Sequence, residues 1–155
     1  MFKEFIKEEN SIIQEVNLPN NNKFIKVFIK REDLIHPEIS GNKWRKLKYN
    51  LLNAIECNYK TLLTFGGAYS NHIYAVASAG KLFGFKTIGI IRGEEQLPLN
   101  PTLSFAVSCG MKLHYLDRTT YRRRNDYLFK EELANKFGNP FVIPEGGSNM
   151  FALQG

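Results

Sequence analysis

A chain of 155 residues is long enough for one domain with a proper core and too short for two ordinary ones. Apolar residues at 43% and charged residues at 23% are ordinary globular values and exclude a disordered chain. No apolar run approaches the ~18 residues that span a bilayer, the acid-dotted start from Met1 to Glu9 is not a secretory signal, and the net charge of +6 comes with no nucleic-acid reading motif.

After a polar start, Lys23 to Lys30 is β-branched and aromatic with partial alternation and reads as a strand. Ser40-Gly41-Asn42 then offers an N-cap to a helix from about Lys43 to Glu56, with Leu47, Leu51, Leu52 and Ile55 on one stripe. From there a unit repeats. Thr61 to Phe65 is a short, wholly apolar strand ended by Gly66-Gly67, and a helix of small residues runs from about Ser70 to Phe83. Lys86 to Ile91 is a second buried strand, followed by a loop to Pro98 and a helix over about Thr102 to Ser108. Met111 to Leu116 is a third strand, with a long helix from about Thr120 to Phe137 behind it. Phe141 to Pro144 is the fourth strand, leading into Glu145-Gly146-Gly147-Ser148-Asn149.

Apolar strands alternating with helices predict an α/β fold: a twisted parallel sheet with helices on both faces. Right-handed crossovers put every loop that follows a strand at one edge of the sheet, where such folds bind ligands. The loops Gly66 to Asn71 and Gly146 to Asn149 fall there.

Three constellations could carry chemistry. Lys43, at the first turn of a helix and beside Arg45 and Lys46, sits where positive charge is disfavoured. That favours the neutral amine, the form that condenses with an aldehyde; the alternative is a plain basic turn in solvent. Gly66-Gly67-Ala68-Tyr69-Ser70-Asn71-His72 places free N–H groups and two short polar side chains at a helix start, an arrangement suited to an anion. Its alternative is a capped turn with Ser70 as N-cap and His72 as a half-buried helix residue. Pro144 to Asn149 is either a second ligand-facing loop or another capped turn.

The remaining polar groups carry less. Cys57 and Cys109 have no metal-ligand spacing and read as reduced thiols with a cytoplasmic address. Asp33, Glu94, Glu95, His36 and His114 form no metal cluster, so no metal is expected. Arg122-Arg123-Arg124, with Glu131 and Glu132 behind it, reads as a solvated helix face.

Taken together, Lys30-Arg31-Glu32-Asp33-Leu34, Ser40-Gly41-Asn42-Lys43-Trp44-Arg45-Lys46-Leu47, Gly66 to His72 and Pro144 to Asn149 resemble, in order and spacing, one family. It is the D-cysteine desulfhydrase and 1-aminocyclopropane-1-carboxylate (ACC) deaminase family, within the tryptophan-synthase β-like, fold type II class of pyridoxal-phosphate (PLP) enzymes. The resemblance covers nearly the whole chain from Lys30 onward.

It implies a PLP-dependent lyase or deaminase in which Lys43 carries pyridoxal 5'-phosphate and shuttles protons. Lys46 would reach the cofactor phosphate and Asn71 the ring hydroxyl oxygen. Ser70, with the N–H groups of Asn71 and His72, would hold the substrate carboxylate, and Ser70 would also assist catalysis. For a D-cysteine-like small amino acid, the expected reaction is α,β-elimination to pyruvate, ammonia and sulfide. His72 follows Ser-Asn as in the desulfhydrase branch, where the deaminase branch typically has Gln. Tyr74-Ala75 replaces the Arg-Gln common to both.

By the same resemblance, residues 1–45 belong to the large cofactor domain, 46–147 form the small α/β domain, and 148–155 begin the return to the large domain. Members are longer than this chain, and their phosphate loop, ring-stacking aromatic and ring-nitrogen partner lie beyond the equivalent of Gly155. The resemblance therefore implies a truncated, inactive portion of an enzyme that is a homodimer when complete, with no membrane and no nucleic-acid partner. ACC deaminase or D-serine-type activity on the same scaffold, and a non-catalytic α/β remnant, are the competing readings. A flavodoxin-like module would need a phosphate loop where the basic Ser40-to-Lys46 turn stands.

Overall fold

Strands with apolar side chains on both sides can be satisfied only between two layers of helix, and that is how the chain is arranged. The computed structural model describes residues 2–19 and 25–155. Strands β1 (Ile13–Val16) and β2 (Val27–Lys30) form an antiparallel pair with Ile13 opposite Lys30. Helix α1 (Asn42–Glu56) precedes a parallel sheet built from β3 (Thr61–Gly67), β4 (Lys86–Arg92), β5 (Lys112–Leu116) and β6 (Phe141–Ile143), in the order β5-β4-β3-β6. The helices between them are α2 (Asn71–Phe83), α3 (Pro101–Ser108), α4 (Arg118–Arg122) and α5 (Tyr127–Lys136), and α6 (Met150–Leu153) follows β6.

The period-two alternation of the strands divides the core. Leu62 and Ile91 face one side, where they join Leu47 and Leu51 of α1, Ile73 and Val76 of α2 and Leu103 of α3. Leu63, Phe65, Ile88 and Ile90 face the other, under Tyr121 of α4 and Phe129 and Leu133 of α5. Burying one such side chain contributes roughly 2 kcal/mol. The N-terminal segment closes on the first core through Phe2, whose ring lies edge-on to Trp44 at 5.2 Å and to Phe83 at 4.8 Å.

The α/β class and its helix-covered parallel sheet are as the sequence implies, but several local expectations are not met. Strand β2 begins only at Val27, and Lys23 and Phe24 of the expected strand lie outside the described residues. Its partner β1 had no signature in sequence. The N-cap of α1 is Gly41, at φ +60°, and no side chain caps that helix; Ser40 and Asn42 do not serve. The long helix expected over 120–137 is broken. Asp117 caps α4 by accepting from the N–H groups of Thr119 and Thr120, and Asp126 stops the chain and starts α5 by accepting from Leu128. The arginine run straddles that break, with Arg122 ending α4 and Arg123 and Arg124 in the turn that follows. Arg124 pairs with Glu145 rather than with an acid of its own helix, while Arg123 reaches Asp126 and Glu132.

Candidate active-site cleft

Helix α1 holds Lys43 at its second residue, with its side chain half-buried and Nζ donating to Asn42 Oδ1 at 2.8 Å. Burial pushes the Lys43 amine below its usual range, and the neighbouring Lys46 charge adds to this. Arg45, expected to share in that repulsion, points elsewhere. Its guanidinium is taken up by Glu32 at 2.8 and 3.1 Å and Glu8 at 3.1 Å, and Glu8 also accepts from Trp44 Nε1 at 2.8 Å. The pairing lowers the Glu32 carboxyl to about 2, Arg45 being the main cause.

Ser70 caps α2 through Oγ, which accepts from the N–H groups of His72 and Ile73 at 3.2 and 3.3 Å. The preceding turn is tight because Gly66 has no side chain: a Cβ there would stand 2.6 Å from Ile73 Cγ1 and 2.8 Å from Ser70 Oγ. The missing Cβ of Gly66 thus makes room for the cap.

Asn71 is exposed and His72 is 3% exposed. Thr64 Oγ1 donates to the Ile143 carbonyl at 2.9 Å, so its lone pair is what meets His72 Nε2 at 2.9 Å. That assigns the proton of the neutral ring to Nε2. Nδ1 is buried without a hydrogen-bond partner among the described residues. Burial first, then the charges of Lys43 and Lys46, push the His72 ring down to about 3. His72 is therefore fully buried rather than half-buried, and its N–H is committed to Ser70.

The loop after β6 closes the other flank. Lys46 Nζ donates to Ser148 Oγ at 3.0 Å, and Asn50 and Asn149 exchange amide hydrogen bonds at 2.7 and 3.2 Å. Gly147, at φ +70°, lies where a Cβ would meet His72 Cε1 at 3.1 Å and Lys46 Cβ at 3.3 Å.

A cleft of ≈ 470 Å³ brings Lys43 and Asn71 together with Ser40, Gly41 and Asn42. Ser70 and Lys46 flank that cleft without lining it, and the His72 ring turns away from it. Glu38, Tyr74 and Thr102 also line it. Sequence reasoning missed Glu38 and Thr102. Tyr74 had one signal, its departure from the family pattern, and its ring stacks on Phe105 with centroids 3.8 Å apart. Among the described residues no group of His, Cys, Asp and Glu is arranged to hold a metal ion. A half-buried amine of lowered basicity, an exposed amide and a second lysine close by suit an anionic aldehyde, so these residues fit pyridoxal phosphate.

The fold is that of a domain of the fold type II class of PLP enzymes. No family model matches the chain. A putative ACC deaminase of Pyrococcus abyssi is 33% identical over 125 residues, which are 81% of this chain and 38% of that protein. The bifunctional D-cysteine desulfhydrase/ACC deaminase, mitochondrial, of Arabidopsis thaliana is 31% identical over 152 residues, 92% of this chain and 38% of the relative. The crystal structure of an ACC deaminase homologue superposes with a TM-score of 0.74 at 32% identity, covering 92% of this chain and 44% of its own. O-ureido-L-serine synthase, at 18% identity and a TM-score of 0.64, shares the fold, with 85% of this chain and 40% of its own covered. Within the fold type II class the chain is thus related in sequence and structure to the D-cysteine desulfhydrase and ACC deaminase group. It spans about two fifths of the length of the curated relatives it matches. No helix among the described residues is long and apolar enough to cross a membrane.

Proposed function

We propose that the protein acts as a PLP-dependent lyase of the D-cysteine desulfhydrase type. Water and a D-cysteine-like amino acid would give pyruvate, ammonia and hydrogen sulfide. The observation that carries this reading is the Lys43 amine, lowered in basicity and facing one cleft with Asn71. Bound pyridoxal phosphate supplies the electron sink for carbanion chemistry at the substrate α-carbon. The chain's own residues do the rest. Lys43 Nζ would take the α-proton and pass it to the departing β-thiolate, which leaves as hydrogen sulfide, and its lowered basicity keeps a share of it neutral for that purpose. Lys46, whose one hydrogen-bond partner among the described residues is the Ser148 hydroxyl, is free to meet a phosphate, and Asn71 orients the ring by its amide. Ser70 and the Asn71 and His72 N–H groups hold the substrate carboxylate, which requires the capping bonds at Ser70 Oγ to open when substrate enters.

Because the chain spans about two fifths of its relatives' length, this turnover is proposed of the whole protein and not of the 155 residues alone. The division into 1–45, 46–147 and 148–155, a homodimeric assembly and a cytoplasmic address for a chain with free thiols at Cys57 and Cys109 belong to the same proposal. ACC deaminase and D-serine activity are separated from it by a substrate panel.

The test is to add pyridoxal phosphate, reduce with borohydride and map the labelled peptide, with Lys43→Ala alongside. A single adduct on Lys43, absent from the variant, is the expected result. Labelling spread over surface lysines, or equal in the variant, would leave a non-catalytic α/β domain as the better reading.

A further inference from the structure

Seven arginines occur in the sequence, and four of them end on carboxylates: Arg31 on Asp33, Arg45 on Glu8 and Glu32, Arg123 on Asp126 and Glu132, and Arg124 on Glu145. Among the described residues, Arg92, Arg118 and Arg122 have no such ion pair. These three are not scattered. Together with Tyr121 and Arg124 they line one cavity of ≈ 320 Å³ at the carboxyl edge of the sheet.

A guanidinium cannot relieve repulsion by losing its proton. Three guanidinium groups without carboxylate partners around a single concavity concentrate positive charge where an anion can meet it. The floor is rigid. Tyr121 is buried, donates its hydroxyl to Glu145 Oε1 at 3.0 Å, and has the Arg124 and Arg92 guanidinium carbons 5.1 and 5.9 Å from its ring centroid. Glu145 is already engaged with Arg124 and Tyr121, so it does not neutralise the other three.

A second cavity, of ≈ 490 Å³, shares Arg92 and Arg118 with the first. Its walls include Tyr69, Pro98, Leu103 and Tyr115. The Tyr115 hydroxyl is buried without a hydrogen-bond partner among the described residues. A buried orphan hydroxyl costs free energy and calls for a partner. Asp117 also lines this cavity, but its carboxylate is turned to Thr119 and Thr120. Glu94 and Gln96 at the rim supply acceptors for ligand hydroxyl or amino groups. Neither cavity shares a residue with the Lys43 cleft.

We propose that the two cavities form one binding site for an organic phosphate of nucleotide size, with phosphate oxygens held by Arg92, Arg118 and Arg122 and the uncharged body lying against Tyr69, Leu103 and Tyr115. Three guanidinium forks present more donors than a single carboxylate can accept, and they match a multivalent phosphate. Both volumes fall in the range of small-molecule sites, roughly 300–1,000 Å³. The site borders the turn before Ser70, since Arg92 Nη2 lies 3.5 Å from where a Cβ of Gly67 would stand. Occupancy there is placed to be felt by the loop that carries Ser70 and Asn71. The assignment does not depend on Lys43 chemistry.

Calorimetric titration of the protein with ADP, and separately with inorganic phosphate, tests it at low ionic strength without added pyridoxal phosphate. ADP is expected to bind one to one and about tenfold or more tighter than phosphate, or ~1.4 kcal/mol. The double variant Arg118→Gln/Arg122→Gln, both positions being exposed on α4, is expected to lose about tenfold or more in ADP affinity. Lys46→Gln should leave it unchanged, and Tyr115→Phe should narrow the gap between ADP and phosphate. No heat with ADP, ADP no tighter than phosphate, equal affinity in the double variant, or a loss confined to Lys46→Gln would each overturn the proposal. The last result would put the phosphate in the Lys43 cleft instead.

Discussion

Replacing His72 by Gln should remove an acid-labile element of stability, and the size of the effect follows from the ring's burial. Burial holds the folded ring down to about 3, far below the 6.5 of a free imidazole. A depressed folded value means that the neutral form is what the fold accepts. The stabilisation is complete above pH 6.5 and is lost as pH falls from there toward about 3. At about pH 5 the unfolded chain is protonated here and the folded chain is not. The gap of roughly 1.5 pH units is worth about 2 kcal/mol, against nearly nothing at pH 7. Glutamine keeps a donor of similar reach toward Thr64 and has no proton to gain. Urea unfolding of both proteins at pH 7 and at pH 5 is the assay, with the slope monitored to show that the unfolded states are comparable. The parent should lose about 2 kcal/mol more than His72→Gln over that interval. The other depressed groups, Glu32, His36 and His114 among them, are common to both proteins and cancel in the difference. Equal losses in the two would refute the assignment of His72 as a buried, permanently neutral ring.

Two further substitutions probe the same region from outside the cleft. Thr64→Val keeps the shape but leaves both the Ile143 carbonyl and His72 Nε2 without their 2.9 Å partner; it should cost roughly 2–4 kcal/mol in denaturant midpoint, and a change under about 0.5 kcal/mol would contradict the bridge. Gly80→Ala would place a methyl 2.2 Å from Thr87 Cγ2 and 3.2 Å from the Phe85 carbonyl, so it should lower the thermal midpoint by an amount matching roughly 1–3 kcal/mol of overpacking. A stabilised Gly80→Ala would mean that α2 and β4 approach less closely than described.

Much of this architecture was open to a reader of the sequence because local and global signals agreed. The runs around Leu62-Leu63 and Ile88 to Ile91 are apolar on every residue, which only a two-sided burial explains, and Ser70 is a cap in sequence and in space. The pair β1–β2 was half-hidden because Ile13-Gln14-Glu15-Val16 is mostly exposed and carries no strong period. The break between α4 and α5 was missed because a capping aspartate inside a polar stretch resembles any other surface acid. At the cleft, Lys43 and Asn71 were legible as helix-start residues following two different loops. Glu38 and Thr102 join them only through tertiary packing, and Arg45 was misjudged because its partners Glu8 and Glu32 lie 37 and 13 residues away.

The strand order β5-β4-β3-β6 has a consequence for how the molecule comes into being. Strand β3 pairs early with β4, its near neighbour in sequence, but its other edge waits for β6, and the Thr64-to-Ile143 bond closes across 79 residues. Loop closure of that length is slow relative to local pairing. During synthesis, residues up to Leu116 can already pair β3, β4 and β5, while Thr64 and His72 still lack the strand that buries them. Lys46 likewise has no Ser148 to meet until the loop behind β6 has emerged. The flank of the cleft that Lys46 forms with Ser148 is therefore among the last features to be assembled, whereas the residues lining the cleft itself, from Pro37 to Thr102, have all emerged before β5.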